Sequence, residues 1–347
     1  MNIYDIAKIA GVSPATVSRV INENPKVGDD KRRRVLDALR QCNYTPNELA
    51  RNLAGQASKT VAILCVDIRH INYSTIAYEI ERKASGMGYN VFLCNTTLNP
   101  DLQRRSLHMM AAKRVDCLIL IGSSLSNDLV HGELDATFAA TPVILLNNQY
   151  EGEQAYGIFG RIADGVVQSL NYLHSLGHRK IAFIKDGDTW VSRLKEETFR
   201  NRMKKLNLPV GKHTVFPTYS GFDSGVDAVN YFEGQGAEYT AIMGCDDITA
   251  LGIVRELKSK GRSVPDDVSV IGYFNTLYSR VSEPSLTTVD NNTARMTQAI
   301  TSILHNALTK TSAPGKTYIE PQLIVRESTG PVASKRGSGL RRASGKR

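Results

Sequence analysis

Thr16, Ser18, Arg19 and Asn22, with Ala15 among them, place small and hydrogen-bonding side chains at spacings that a helix would gather on one outer face. Side chains of this kind can lie close to base edges and phosphates in a DNA major groove. The other chemistry-bearing residues are scattered at the ends of apolar runs: Asp67 to Tyr73, Asn147-Asn148, Asp246-Asp247 and Phe274-Asn275. In an open parallel sheet, ligands bind beyond the C-terminal ends of the strands, so these four segments are candidates to line a crevice. Asp67 and Asp247 have an alternative role as caps or inter-strand anchors. Trp190, the sole tryptophan, reads as a crevice residue or a lid contact. Little else suggests chemistry. No Gly-x-x-x-x-Gly-Lys-Ser/Thr loop, no Gly-x-Gly-x-x-Gly turn and no Gly-x-Ser-x-Gly elbow occurs. His70, His174 and His178 lack the spacing of a metal site. The expectation is a binding protein, not an enzyme, with no metal and no cofactor.

The elements that must position these residues are legible from periodicity. Ile3, Ile6, Ala7 and Ala10 recur at helical spacing. Gly11 can supply the positive φ of a sharp turn. Ser13 stands at an N-cap and Pro14 at the first helical position, where a missing N–H costs nothing. Val17, Val20 and Ile21 then form the inner stripe of a second helix. Residues 29–42 predict a third, with acids at its start and Val35, Leu36 and Leu39 as its apolar stripe. Its basic run, Lys31 to Arg34, reads either as a solvated face or as phosphate contacts. An ordinary helical hairpin is the bland alternative for the first two helices. After the break at Asn43–Asn47, residues 47–55 offer one short helix, too short to stand alone in water.

These residues resemble the lactose-repressor/galactose-repressor (LacI/GalR) family of bacterial transcription regulators. The resemblance rests on Tyr4-Asp5-Ile6-Ala7, Ala10-Gly11-Val12-Ser13, Thr16-Val17-Ser18-Arg19-Val20, Asn22, Asn43-Tyr44, Pro46-Asn47, Ala50 and Leu53-Ala54-Gly55. It continues more loosely to about Gly330. The resemblance implies a homodimer whose paired recognition helices enter successive major grooves of a near-palindromic operator in double-stranded DNA. It implies DNA contacts from Ile3, Tyr4, Ser13, Pro14, Ala15, Thr16, Ser18, Arg19 and Asn22, with Pro14 and Ala15 tuning base preference. It further implies that 47–55 folds as a hinge helix on DNA, contributing Asn47, Ala50 and a minor-groove wedge, Leu53. A marginal helix that orders only on its partner, and an apolar wedge that kinks the duplex, are physically coherent.

Residues 59–330 alternate strand and helix. Strand runs at 59–68, 89–96, 115–122, 142–148, 180–186, 239–247 and 268–274 are separated by helices at 74–88, 100–114, 163–177, 192–206 and 249–260. Such repetition predicts doubly wound parallel sheets. The fold class expected is therefore a small all-α helix-turn-helix domain plus an α/β core. The resemblance makes that core two doubly wound, periplasmic-binding-protein-like subdomains around one cleft, with chain crossovers near 158–160, 285–290 and 319–323. The boundaries expected are a headpiece at 1–46, a hinge at 47–58 and a core at 59–330. Within the core, the N-lobe takes about 59–158 and 289–320 and the C-lobe about 159–288 and 321–330. A basic disordered tail at 331–347 completes the chain.

The positions matching the family's effector contacts are Tyr73, Asn147, Lys195, Asp246 and Phe274, with Tyr219 or Phe222 a looser aromatic match. Three depart from type. Lys195 stands where many members have Arg, followed here by Glu196-Glu197-Thr198, and only Arg offers a planar fork to adjacent hydroxyls. Phe274 stands where many have Asp; it can stack but cannot accept a hydrogen bond. Asp246 stands where Asn is frequent. A small-molecule effector, a sugar or sugar derivative, is expected, although not a common hexose in the usual pose. Control by a protein partner, or by a non-sugar ligand such as a nucleobase, is the alternative.

Composition agrees with this division. The chain has 347 residues, 41% of them hydrophobic, enough for two or three domains with cores. Its net charge of +9 is uneven: residues 1–59 carry +4, residues 331–347 carry +6, and the large middle carries −1. Basic ends favour nucleic acid and a near-neutral middle favours a small molecule. No apolar stretch approaches the ~20 residues of a membrane span, and the first 22 residues lack an apolar signal-peptide core. Five cysteines, an odd count without a Cys-x-x-Cys pair, predict reduced thiols in a cytoplasmic protein.

Overall fold

The computed structural model describes residues 2–21, 24–42 and 58–332. Asn22, Asn47, Ala50 and Leu53, the hinge at 47–57 and the tail from 333 onward lie outside the described residues. The chain divides into two compact units, 1–58 and 59–347.

The first unit is helical: α1 (Ile3–Ala10), α2 (Pro14–Ile21) and α3 (Asp29–Gln41). Asn2 caps α1 through a capping box with Asp5, which satisfies the free amides of the first turn. Gly11 ends the helix at φ 61°, the left-handed conformation that favours glycine. Ile6, Ala7, Ala10, Val17, Val20, Val27, Val35 and Ala38 form one core. The expected stripe of α3 needs one correction. Leu36 is 40% exposed, and Ala38 is buried in its place. At 100° per residue, Val35, Ala38 and Leu39 share a face that Leu36 leaves.

The second unit contains, in order, β1 (Thr60–Cys65), α4 (Ile71–Gly86), β2 (Asn90–Asn95), α5 (Pro100–Ala112), β3 (Cys117–Ile121), α6 (Asp128–Thr137), β4 (Val143–Leu146) and β5 (Ala155–Gly160). Then follow α7 (Ile162–Ser175), β6 (Ile181–Asp186), α8 (Trp190–Lys205), β7 (Val215–Thr218), α9 (Phe222–Gly234), β8 (Ala241–Met243), α10 (Asp247–Ser259), β9 (Ser269–Tyr273) and α11 (Leu277–Val281). The last elements are β10 (Thr287–Asp290), α12 (Thr293–Thr309), β11 (Lys316–Ile319) and β12 (Gln322–Ile324).

The strands form two six-stranded sheets, ordered β11-β5-β4-β3-β1-β2 and β12-β10-β9-β8-β6-β7. All pairings are parallel except β10 with β12. The chain leaves the first sheet after Gly160, returns to it after Asp290, and crosses again between Ile319 and Gln322.

Both sheets are covered on two faces, which is why their central strands are apolar throughout. In β3, Ile119 and Ile121 pack with Ile76, Ile80 and Ile300 from α4 and α12, while Leu118 and Leu120 pack with Leu107, Met110 and Leu134 from α5 and α6. In the second sheet, Phe183 and Ile271 meet Leu170, Phe199 and Met203 from α7 and α8, and Ile184 and Val270 meet Phe232, Ile253 and Leu257 from α9 and α10. Sequence periodicity misses α6, β5, β7 and α9, and every element after β9: α11, β10, α12, β11 and β12. It also starts α4 three residues late, so Tyr73 lies within that helix and not in the preceding loop.

Candidate functional site

In the first unit, the turn before α2 organises the candidate DNA-reading residues. The Thr16 amide donates to Ser13 Oγ at 3.2 Å, and the two hydroxyls lie 2.9 Å apart. Ser13 therefore caps α2 as its type and position predict. Ala15 and Arg19 are exposed, Pro14, Thr16 and Ser18 are half-buried, and Tyr4 is exposed. Ile3 packs partly against the core. Hence α2 buries Val17 and Val20 and leaves a polar face outward. In the basic run of α3, Arg32 holds the Asn24 carbonyl at 2.6 Å, and Arg33 and Arg34 pair with Asp30. These pairs are well exposed and contribute little to stability.

In the second unit, the C-terminal ends of the parallel strands meet at a crevice between the two sheets. Asp246 caps α10, accepting the Thr249 amide at 2.8 Å. The Ser220 hydroxyl donates to its other oxygen, and His70 Nε2 lies 3.7 Å from that same atom. Burial pushes the Asp246 carboxyl up, but His70, the Ser220 hydroxyl and the Thr249 groups outweigh it, and the carboxyl is held below its ordinary range. Asp247, next in sequence, is an anchor: it accepts the Thr288 hydroxyl at 2.6 Å and the Thr276 amide and hydroxyl at 2.6 and 2.8 Å. Burial pushes its carboxyl up to about 6. Asp67 pairs with Arg69 in its own turn.

Lys195 of α8 is 2% exposed. Its Nζ donates to the Cys245 carbonyl at 3.3 Å and lies 4.0 Å over the Tyr273 ring and 5.4 Å over Phe274. Phe274 has φ 95°, an uncommon conformation for a bulky residue, and its ring stands edge-on to His70 at 5.3 Å. Tyr73 tilts against His70 at 4.6 Å. Tyr73, His70, Phe274, Lys195 and Asp246 are thus brought together. Asn147 is partly committed elsewhere: its side-chain oxygen accepts the Gly160 amide at 3.0 Å and its carbonyl accepts the Trp190 indole N–H at 3.0 Å. Trp190 and the bond between Ser123 and Thr189 at 3.1 Å link the two sides of the crevice. Tyr219 and Phe222, the looser matches, are exposed.

Three participants escape the sequence reading: Asp186, Ser220 and Tyr273. Asp186 ends β6, and the rule that selected the other strand ends would have selected it too. Burial pushes its carboxyl up, partly opposed by Lys195. Among the described residues, Asp186 Oδ1, His70 Nδ1, Tyr273 Oη and Asn291 Oδ1 are buried side-chain atoms without a hydrogen-bond partner.

Comparison with known proteins agrees with this architecture. Residues 2–47 match the family model described as bacterial regulatory proteins, lacI family. Residues 170–329 match a periplasmic binding protein-like domain. An HTH-type transcriptional regulator of Lachnoclostridium phytofermentans is 30% identical over 331 residues, covering 95% of this chain and 99% of that protein. The HTH-type transcriptional repressor PurR of Mannheimia succiniciproducens is 30% identical over 333 residues, with the same coverage of both chains. Among solved structures, the lac repressor dimer bound to operator and the anti-inducer ONPF superposes with a TM-score of 0.81 at 25% identity, covering 95% of this chain and 99% of that one. The transcriptional regulator CelR in complex with cellobiose gives 0.70 at 26% identity, covering 94% and 99%. No helix among the described residues is long and apolar enough to cross a membrane. With a lacI-type headpiece at its start, a binding-protein-like core behind it and relatives aligned almost end to end, this chain belongs to the LacI family of bacterial transcriptional regulators.

Proposed function

We propose that this regulator is a sequence-specific repressor, acting in the cytoplasm as a homodimer on a near-palindromic operator, and that a small neutral polyhydroxy molecule, a sugar or sugar derivative, controls it from the inter-lobe crevice. One observation carries the ligand assignment. Asp186 Oδ1 and His70 Nδ1 are buried without partners beside Lys195 and Asp246. Leaving a buried polar atom unpaired costs about 1–3 kcal/mol, so such atoms at a functional crevice point to a hydrogen-bonding occupant. A polyol hydroxyl both donates and accepts, so it can pair with the Asp186 oxygen and with His70 Nδ1 in either hydrogen-bonding role. The similarity to CelR, solved with cellobiose, supports the same class. The regulated genes on this reading serve carbohydrate utilisation.

The ring cluster of Tyr73, His70 and Phe274 favours a flat heteroaromatic such as a nucleobase as the second reading, because aromatic faces stack on planar rings. A thermal-shift panel of sugars, sugar phosphates and nucleobases separates the two, since a ligand selective for the native state raises Tm. Operator titration with the best hit should then change affinity by about 5–150-fold, the span of a coupling of about 1–3 kcal/mol. Asp246→Asn keeps the helix cap and removes the charge, so it should abolish that response while leaving ligand-free operator affinity nearly unchanged. A full response in Asp246→Asn overturns the crevice assignment, and a panel in which only nucleobases raise Tm overturns the sugar assignment.

A further inference from the structure

Beside the crevice runs an open groove of about 510 Å³ that none of the crevice residues above accounts for, apart from its shared wall, Trp190. Its floor is aromatic. Phe159 of β5 and Tyr318 of β11 are register partners on adjacent parallel strands, stacked at 5.5 Å, and Trp190 meets Phe159 edge-on at 6.3 Å. Tyr318 is 57% exposed, an unusual position for a large ring on an edge strand. The cations at the rim are already neutralised: Lys316 pairs with Glu151 at 2.6 Å and Arg161 with Glu320 at 2.9 Å. Gln149 and Asp164 add polar atoms to the lining. An exposed aromatic platform with a polar rim and no spare positive charge suits a neutral ring that has one apolar face and hydroxyls at its edge. The volume lies within the roughly 300–1,000 Å³ of small-molecule sites.

The groove and the crevice share walls. On α8, Leu194 lines the groove and the next residue, Lys195, belongs to the crevice. Trp190 lines the groove while its indole N–H holds the Asn147 carbonyl, and Asn147 in turn holds the amide of the groove residue Gly160.

We infer that the groove is a second subsite for the same ligand, receiving a second pyranose-type ring, so that the effector is an oligosaccharide or glycoside of at least two rings. This rests on the sugar reading of the crevice. Trp190 is the sole tryptophan, so its emission reports the site directly. Full-length protein is titrated with methyl β-glucoside, cellobiose, maltose and cellotriose, following Trp190 emission and Tm, in wild type, Tyr318→Ala and Tyr318→Phe. At least one di- or trisaccharide should shift the emission and bind on the order of tenfold more tightly than the monosaccharide, and Tyr318→Ala should remove about 5- to 15-fold of that affinity, as expected for one lost aromatic contact. Tyr318→Phe, which keeps the ring, should restore it. Monosaccharide binding of equal strength in all three proteins, with no gain from the second ring, overturns the subsite and leaves the crevice reading standing. No change of emission or Tm with any of the four saccharides, while nucleobases raise Tm, overturns both.

Discussion

Adjacent carboxylates at 246 and 247 are driven in opposite directions by their surroundings. Asp246 collects donors from His70, Ser220 and Thr249 and is held low. Asp247 has three close donors, but burial and the neighbouring Asp246 charge prevail, and its carboxyl rises to about 6. The unfolded chain releases this proton near pH ~3.9. Between about pH 4 and 6 the folded state therefore binds the extra proton, and the stability this supplies is fully present below that window and lost as pH rises through it. Asp247→Asn should flatten this component, worth about 2–3 kcal/mol for a group buried this fully. Urea unfolding at pH 4.5, 5.5 and 7 measures it. The stability of wild type relative to the variant should grow as pH falls, and a difference constant across the three pH values contradicts the assignment.

At the scale of elements, the second subdomain depends on two helices that touch backbone to backbone. A Cβ at Gly252 of α10 would lie 1.9 Å from the Phe222 carbonyl oxygen, and one at Gly225 of α9 would lie 2.1 Å from the Thr249 carbonyl oxygen. Neither obstacle is a side chain that can rotate away. The close crossing also packs on Thr249 in the first turn of α10, whose amide Asp246 accepts, so helix packing bears directly on the position of a crevice residue. Gly252→Ala should cost about 2–4 kcal/mol, the range of overpacking at an unyielding contact. Gly234→Ala, at the end of α9 with open space where the methyl would go, should be neutral or stabilising by up to ~1 kcal/mol. Chemical denaturation of the two variants side by side checks the contrast; similar losses in both would mean that helix propensity, not the crossing, governs.

For the whole molecule, the charge distribution separates two tasks. The basic first 59 residues suit a polyanion, and the near-neutral middle suits a small ligand. A ligand in the crevice influences DNA only by differential affinity for two arrangements of the lobes. On the dimer proposed above, footprinting should reveal two-fold symmetric protection. Leu53→Ala, in the segment proposed to enter the minor groove, should weaken operator binding much more than binding to random DNA, because it removes a wedge and no phosphate-contacting charge. Asymmetric protection, or equal losses on both DNAs, would argue against paired reading through a hinge.

The headpiece helices, their caps and the parallel α/β class follow from local rules: Gly11 is positioned to turn, Ser13 to cap, and β3 to be buried on both faces, and each is legible from its neighbours in sequence. The family is likewise carried by ordered motifs in the first 55 residues. Elements without strong periodicity, such as β7 and β5, are not legible this way, because their burial is decided by strands and helices remote in sequence. The crevice is only partly legible for the same reason. Strand ends identify Asp246 and Asn147, but which atoms are already satisfied is a question of geometry across some 200 residues of chain, from His70 to Phe274. Only the folded chain commits Asn147 to Gly160 and Trp190, makes Asp247 an anchor, and leaves Asp186 Oδ1 buried without a partner. Hydrogen-bond satisfaction and desolvation are properties of assembled neighbours, so the sequence determines which groups reach the crevice and the tertiary structure determines which of them remain open to a ligand.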